Sequence, residues 1–454
     1  MEKNYLLSIA VCSLLLLGVL SSVASLKIRA TNVALKDKLS IHQGIICTSS
    51  RTLRIRTHNG AKVIVKISRP IIVAQADQPE DWGFFQFPVL AQAIDGTLIV
   101  DWQMKEDSHT TYGLSTKRNH VPMISKDKGK SWMPQDRNYD FIGDSYKAIL
   151  RDGNFLTVHT PKAAIVKRAD SQMTPVATKG NKSFYRLDDL PDNLQGIYLE
   201  EWDVNLKLKK MFHAKLHDPG ALRYAIDGMM PIVWWGNIKE MADGTLIAGT
   251  YPAYYLNNDG KVLPSGVSFY ISKDKGHSWA RKGKIPYTPN LDIDPVAPYN
   301  PDGSFVEPAF EILPDSTFLC VMRTGGVAPM YRSFSYDKGR SWTTPEPFTP
   351  NGVKPVLQKL RNGVLVLVSG RPGVQVRFNV DGTGQSWTEP IEMMPFMLGD
   401  KYDSDVSCGY AAVLEASDNS FYIAYSDFKR KNKRGEERKA IMFREITVIP
   451  VSNH

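Results

Sequence analysis

Along the chain, short apolar runs are broken at intervals by a polar turn pair, and the same arrangement returns six times. It reads "AIDGTLIV" at Ala93 to Val100, "LRDGNFLTV" at Leu150 to Val158 and "MADGTLIAG" at Met241 to Gly249. It returns as "LPDSTFLCV" at Leu313 to Val321, "LRNGVLVLV" at Leu360 to Val368 and "ASDNSFYIA" at Ala416 to Ala424. Asp-Gly and its relatives accept the positive backbone dihedrals of a tight hairpin, and strand-forming residues flank each pair. Successive turns are 57, 91, 72, 47 and 56 residues apart, an uneven spacing that suits four-stranded units with loops of different length. Long helical periodicity is absent. The pattern predicts an all-β chain, and six hairpin units arranged radially predict a six-bladed β-propeller.

A second repeat follows several of the hairpins. "SKDKGKSW" at Ser125 to Trp132 returns as "SKDKGHSW" at Ser272 to Trp279 and "SYDKGRSW" at Ser335 to Trp342, and stretched by one residue as "NVDGTGQSW" at Asn379 to Trp387. Its Ser and Asp side chains can accept hydrogen bonds from the N–H groups of their own turn. Gly permits the bend, and Trp covers the joint with a large apolar face. These turns are read as scaffold, not chemistry. The second unit lacks one and carries the longest interval, where "NKSFYRLDDLPDNLQGIYLEEWDVNL" is expected to form a large loop plus outer strands. "AKVIVKISRPIIVA" at Ala61 to Ala74 is expected to complete the last unit and remove an open edge.

Composition narrows the setting. The chain has 454 residues with 43% apolar content, enough for a large core and unlike a disordered protein. The first 25 residues join a polar head to an apolar run and end in small residues, as in a signal peptide cut near Ser25. An uncleaved N-terminal membrane anchor is the alternative. Secretion, or export to a periplasm, follows from the first reading; residues 26–60 remain ambiguous, and 61–454 form the propeller domain. Without the leader, Cys47, Cys320 and Cys408 give neither a disulfide framework nor a metal cluster. No metal and no cofactor are expected. The net charge of +9 favours acidic partners without identifying them, and "FKRKNKRGEERK" at Phe428 to Lys439 is read as a solvated hairpin. No nucleic-acid motif accompanies that charge.

The Ser/Asp turns, the six units and the order of hairpin then box resemble the sialidase (neuraminidase) superfamily from about Val63 to the C-terminus. The resemblance implies a site in which a neutral Tyr attacks a sugar whose anomeric carbon already bears a carboxylate, because a carboxylate nucleophile would be repelled there. A neighbouring Glu takes the Tyr proton, three arginines clamp the carboxylate, and an Asp serves as acid then base. "EPAFEILPDSTFLCVMR" resembles the segment that carries the Glu and one clamp, implying these roles for Glu307 and Arg323. "LVSGRPGVQVRF" implies Arg371 as a further clamp, with Arg377 as its substitute, and "SCGYAAVLEASDNSFYIAYSD" implies Tyr410 as nucleophile. In "DWQMKEDSHTTYG" the family position favours Asp107 as acid over Glu106 and His109.

One departure changes the expectation. Where the family reads "FRIP" or "YRIP", this chain reads "FQFP" at Phe85 to Pro88, so Gln86 stands where a clamp arginine is implied. An amide still hydrogen-bonds a carboxylate but lacks the charge and the rigid fork. The expected function is therefore an exported exo-glycoside hydrolase acting on a terminal acidic or modified sugar of a glycan, not an ordinary sialidase. A non-catalytic carbohydrate-binding propeller is the alternative, and a polysaccharide lyase using His109, His120 or His159 is a third.

Overall fold

The computed structural model describes residues 44–107, 120–135, 147–166, 173–294, 297, 303–325, 328–395 and 404–451. The expected leader, residues 26–43 of the ambiguous N-terminal segment and His109 lie outside them.

Most of the described strands fall into antiparallel groups of four, each followed in sequence by the next. They occupy residues 84–134, 147–217, 235–285, 306–349, 353–394, and 411–451 completed by 62–67. We number these units one to six. The second and third share one continuous sheet through a parallel pairing of Lys215–His217 with Ser278–Ala280. Near-continuous apolar runs such as Leu365–Gly370 and Phe318–Arg323 are buried on both faces, so their sheets must be covered by neighbours on both sides. Phe305, Phe310 and Phe318 pack with Ile247 and Phe269 between the third and fourth units. Leu319, Leu357 and Leu367 continue between the fourth and fifth, and Val376, Phe378 and Phe421 between the fifth and sixth. Val100, Tyr422 and Phe443 join the sixth unit back to the first, and Ile99, Phe155 and Trp202 join the first to the second. With Leu199, Ile238 and Trp279 between the second and third, the packing closes on itself as a β-propeller.

The hairpin turns are built as their composition predicts. Asp95 Oδ1 accepts the Thr97 N–H at 2.9 Å, and Asp152, Asp243, Asp315 and Asn362 bond the residue two positions on in the same way. In the Ser/Asp turns, Asp274 accepts both the Ser278 N–H (2.9 Å) and its hydroxyl (2.6 Å). Ser272 Oγ accepts the Gly276 N–H, and Trp279 Nε1 donates to the Gly276 carbonyl. Against the effect of burial, these hydrogen bonds hold the Asp274 and Asp337 carboxyls down to about 2, and hydrogen bonds alone do so for exposed Asp127. In the stretched copy, Asn379 takes the place of Ser and its carbonyl accepts the Gly384 N–H.

Lys62–Ile67 pairs with the strand Glu437–Val451, and Ile71–Gln75 pairs farther along the same strand. The two ends of the chain thus share one sheet. The described part of the ambiguous segment also joins the sheets: Arg51–Arg56 pairs with Lys62–Ile67, and Ile45–Ile46 runs parallel to Ile391–Met394. Arg444, wholly buried, donates to the Cys47 and Ser68 carbonyls and fastens this segment down. The basic stretch is a hairpin turn around Asn432 to Glu436. No helix among the described residues is long and apolar enough to cross a membrane.

The long second interval holds more order than a large loop. Ile197–Trp202 is the third strand of the second unit, as the outer-strand expectation requires. Leu208–His217 is its fourth strand, while five short strands of the same interval form a separate sheet, with Leu222–Ile226 between Met229–Met230 and Lys182–Arg186 and its own core of Tyr185, Leu190, Leu194 and Met230.

Trp279 is fully buried between two units. Trp279→Ala is expected to lower stability by about 3–5 kcal/mol, read as the shift in a urea-unfolding curve, through the cavity it leaves.

Candidate active site

In four units a residue in the left-handed backbone region lies in the first half of the unit's first strand or just ahead of it. These are Phe87 (φ 50°) in the first, Glu307 (φ 48°) in the fourth, Lys354 (φ 43°) in the fifth, and Gly409 (φ 79°) just ahead of the sixth. The first three each precede a proline, which ordinarily forces extended backbone, so the conformation is strained by about 1–3 kcal/mol per residue. At each of these three, the strand pairing slips, between Gln86 and Val89, Val306 and Ala309, and Val353 and Val356. The bulge lets these residues leave the pleat and meet one another.

They meet around the Glu307 carboxylate. The Tyr410 hydroxyl donates a short hydrogen bond to Glu307 Oε1, and Arg323 Nη1 lies 3.0 Å from the same oxygen and 3.5 Å from the Tyr410 hydroxyl. Glu307 Oε2 accepts the Lys354 N–H at 2.8 Å. Arg323 closes the strand Phe318–Arg323 and is paired across it with Val306, which places it beside Glu307. The Phe87 ring packs edge-on against Tyr410, with centroids 4.7 Å apart. Residues 103 positions apart in sequence are thus in direct contact.

Electrostatics sorts the three roles. Burial alone would raise the Glu307 carboxyl, but the Arg323 and Lys354 cations, with the Tyr410 hydroxyl and the Lys354 N–H, hold it below its ordinary 4.5. Burial and the Glu307 charge push the Tyr410 phenol well above 10, against the partial opposition of Arg323. Arg323 is half-buried, and the Glu307 charge beside it keeps it charged. The arrangement is a neutral phenol donating to an ionised carboxylate. Such a pair can pass a proton from oxygen to oxygen when the phenol forms a new bond.

Arg371 is beside the cluster, not on the carboxylate. Its Nε donates to the Cys408 carbonyl at 3.1 Å, while its guanidinium lies over Tyr410 (5.9 Å) and Trp82 (5.4 Å). The approach needs two glycines. A Cβ on Gly370 would stand 2.0 Å from the Gly409 carbonyl oxygen, and one on Gly409 would meet Arg371 at 2.8 Å. Asp107 is exposed and accepts the Trp82 indole N–H at 2.9 Å, and Trp82 in turn lies under the Arg371 guanidinium that also covers Tyr410. Glu106 is exposed beside it.

Two residues stand differently from their expected roles. Gln86 is wholly buried, with neither amide atom bonded, so it does not reach the open wall of the site; Phe87 touches Tyr410 instead. The slip of pairing on both sides of Gln86 turns its side chain inward. Arg377 lies within its sheet opposite Leu367, and burial holds its guanidinium down to about 10, away from the cluster. Three contributors escaped the sequence reading: Lys354, Phe87 and Trp82. The X-Pro step shared by Phe87, Glu307 and Lys354 was the available signal. A hydrogen bond between His120 Nε2 and Asp101 Oδ1 (2.6 Å), beside Trp102, was likewise hidden because its members lie on separate segments.

Glu307 and Arg323 also line a cavity of about 770 Å³ that extends to Tyr251 and Tyr254 of the third unit and to the separate five-stranded sheet. Among the described residues no group of three or more His, Cys, Asp or Glu side chains could hold a metal ion.

No protein-family model matches the chain, and no curated protein matches it. Among solved structures the chain is similar to a protein of unknown function from Dyadobacter fermentans. The two are 15% identical, over 85% of this chain and 99% of that one, with a TM-score of 0.56. It is also similar to a Hadza microbial sialidase (14% identity, 81% of this chain and 65% of that one, TM-score 0.47). A third is an α-L-arabinanase from Penicillium chrysogenum (14%, 86% and 98%, TM-score 0.44). At these identities the likeness is one of fold alone, in keeping with the all-β propeller that the chain's own sheets form.

The lowered Glu307 carboxyl has a stability consequence of definite sign. A group whose folded value lies below its unfolded one contributes stability above the unfolded value, and that contribution is lost as pH falls through the folded one. The urea-unfolding difference between the parent and Glu307→Gln is therefore expected to be full at pH 7 and to shrink below pH 4.5.

Proposed function

We propose that the chain is an exported, exo-acting glycoside hydrolase that removes a terminal acidic or modified sugar with retention, using Tyr410 as nucleophile. The contact of the Tyr410 hydroxyl with the Glu307 carboxylate, with Arg323 against both, carries this reading. A neutral phenol suits an anomeric centre that bears or adjoins negative charge, where a carboxylate would be repelled. As the Tyr410 oxygen bonds to the anomeric carbon, Glu307 takes the phenolic proton. The bond to the departing oxygen breaks, and that oxygen takes a proton from the Asp107 carboxyl. In the second half Asp107 draws a proton from water, the water oxygen replaces Tyr410 on the sugar, and Glu307 returns its proton to the phenol. Arg323 keeps Glu307 ionised and, with Arg371, supplies the positive charge that an acidic substrate group meets.

Gln86 bears on which sugar is cut. A missing charged hydrogen bond of about 1.5–3 kcal/mol weakens carboxylate binding by about one to two orders of magnitude. Ordinary sialic acid is therefore a less favoured terminal sugar than one whose acidic group is placed to use Arg323 and Arg371. A second reading, a propeller that binds a glycan without cutting it, is favoured by the engagement of the Asp107 carboxylate with the Trp82 indole rather than with the Glu307 cluster.

The test is a panel of aryl glycosides carrying sialic acid, its deaminated relatives and uronates. The parent is expected to cleave at least one of them. Tyr410→Phe is expected to abolish turnover while keeping glycan binding, and Glu307→Gln to lower kcat by about 10²–10⁴-fold. If the parent cleaves none, while both it and Tyr410→Phe bind glycan, the non-catalytic reading replaces this one.

A further inference from the structure

The cavity that begins at Glu307 and Arg323 is larger than one sugar needs. Sites for a single small ligand start at about 300 Å³, against about 770 Å³ here. Its far wall comes from the separate five-stranded sheet, through the hairpin turn Lys179, Gly180, Asn181 and Lys182. Lys179 is exposed and Lys182 half-buried. Between the two ends lie Tyr251 and Tyr254, which present aromatic surface to the space.

The wall is fixed in place. The Asn181 side chain donates to Asp227 at 3.1 Å, and the Asp227 N–H donates to the Asn181 carbonyl, so the two turns of the small sheet brace each other. The Leu222 N–H donates to the Tyr254 carbonyl, and the Tyr254 ring packs against Phe184 (5.1 Å) and Tyr224 (5.6 Å). The hairpin is thereby docked on the third unit at a set distance from the catalytic cluster. Charge is one-sided along the cavity. Glu307 is the one carboxylate among its described lining residues, and it is engaged by Arg323, Tyr410 and Lys354; Lys179 and Lys182 add positive charge to the lining, and the Asp227 carboxylate that braces their turn is not part of it.

We propose that the Lys179–Lys182 turn forms a second, cationic subsite that takes the carboxylate or sulfate of the sugar next to the terminal one, with Tyr251 and Tyr254 as its aromatic floor. The substrate is then an acidic glycan with negative charge on consecutive residues. This rests on the glycan-processing reading of the Glu307 cluster and deepens it. Lysines suit the purpose because a mobile point charge accepts carboxylate or sulfate without the strict geometry of a guanidinium fork.

The test uses the Tyr410→Phe chain, so that binding is read without turnover. Paired oligosaccharides share a terminal sugar and differ in charge at the second. One pair has terminal sialic acid followed by sialic acid or by galactose. The other has terminal glucuronate followed by sulfated or unsulfated N-acetylglucosamine. In at least one pair the acidic partner is expected to bind about tenfold more tightly. Lys179→Ala with Lys182→Ala is expected to remove that preference while leaving the neutral partner within about twofold, and Lys179→Arg with Lys182→Arg to keep it. An unchanged melting temperature in the alanine pair excludes collapse of the small sheet; a large drop is met by Lys179→Gln with Lys182→Gln, judged by the same preference.

The idea is overturned if no pair shows a preference for the acidic partner, or if the preference survives loss of both lysines. Failure of the parent to cleave any aryl glycoside, with the lysine-dependent preference intact, sinks the hydrolase reading and leaves the subsite. Cleavage without the preference does the reverse.

Discussion

A carboxylate buried against a phenol and a guanidinium is the interaction on which the rest of the molecule depends. Taking Glu307 out of water costs several kcal/mol, and the cost is met only where opposite charge and hydrogen-bond donors sit around it. Here the donors come from different units: Arg323 from the fourth, the Lys354 N–H from the fifth and the Tyr410 hydroxyl from the sixth, with Phe87 of the first closing over the ring. No single sheet could assemble them. The cluster exists because apolar packing between consecutive units returns on itself and brings the openings of several units' first strands to one place.

The same site explains why the scaffold tolerates strain. Phe87, Glu307 and Lys354 hold left-handed backbone ahead of proline, where local preference is for an extended chain. Each carries a side chain or an N–H used in the cluster. The surrounding sheets supply the rigidity: Val321, Leu319 and Cys320 on the partner strand of Glu307 are all fully buried, so the bulge cannot relax without opening packed core. Gly370 and Gly409 do a related job by letting two backbones approach closer than any side chain allows, which sets Arg371 against Tyr410.

The fold was more legible than the site. Asp95 or Asp243 declares a hairpin because an Asx carboxylate bonding two residues ahead is a local event, complete within four residues. The contact between Glu307 and Tyr410 is not local; their pairing came from a resemblance between segments and not from any spacing. Gln86 shows the limit of that method. A position matched by motif was expected to face substrate, yet the pairing slips on both sides of it and its amide is buried. The separate sheet around Leu222–Ile226 was missed because its strands are short and interrupted by the strand Ile197–Trp202, which belongs to the second unit. Lys354 and Phe87 could have been found by aligning the X-Pro steps of successive units, since identical placement in a repeat implies a shared destination.

The positive charges lead to a further argument about recognition. With Gln86 neutral and inward, Arg323 bound to Glu307, and Arg371 partly spent on the Cys408 carbonyl, the centre offers an acidic sugar less cationic contact than three unencumbered arginines do. On the proposed reading, strong binding of a charged glycan has to draw on groups farther from the reacting carbon. Interactions made with remote parts of a substrate can hold the bond to be broken against its nucleophile, and so compensate for a weaker grip at the centre. The inserted sheet, docked through Tyr254 and carrying two lysines, is the part of this chain built at the right place to supply them.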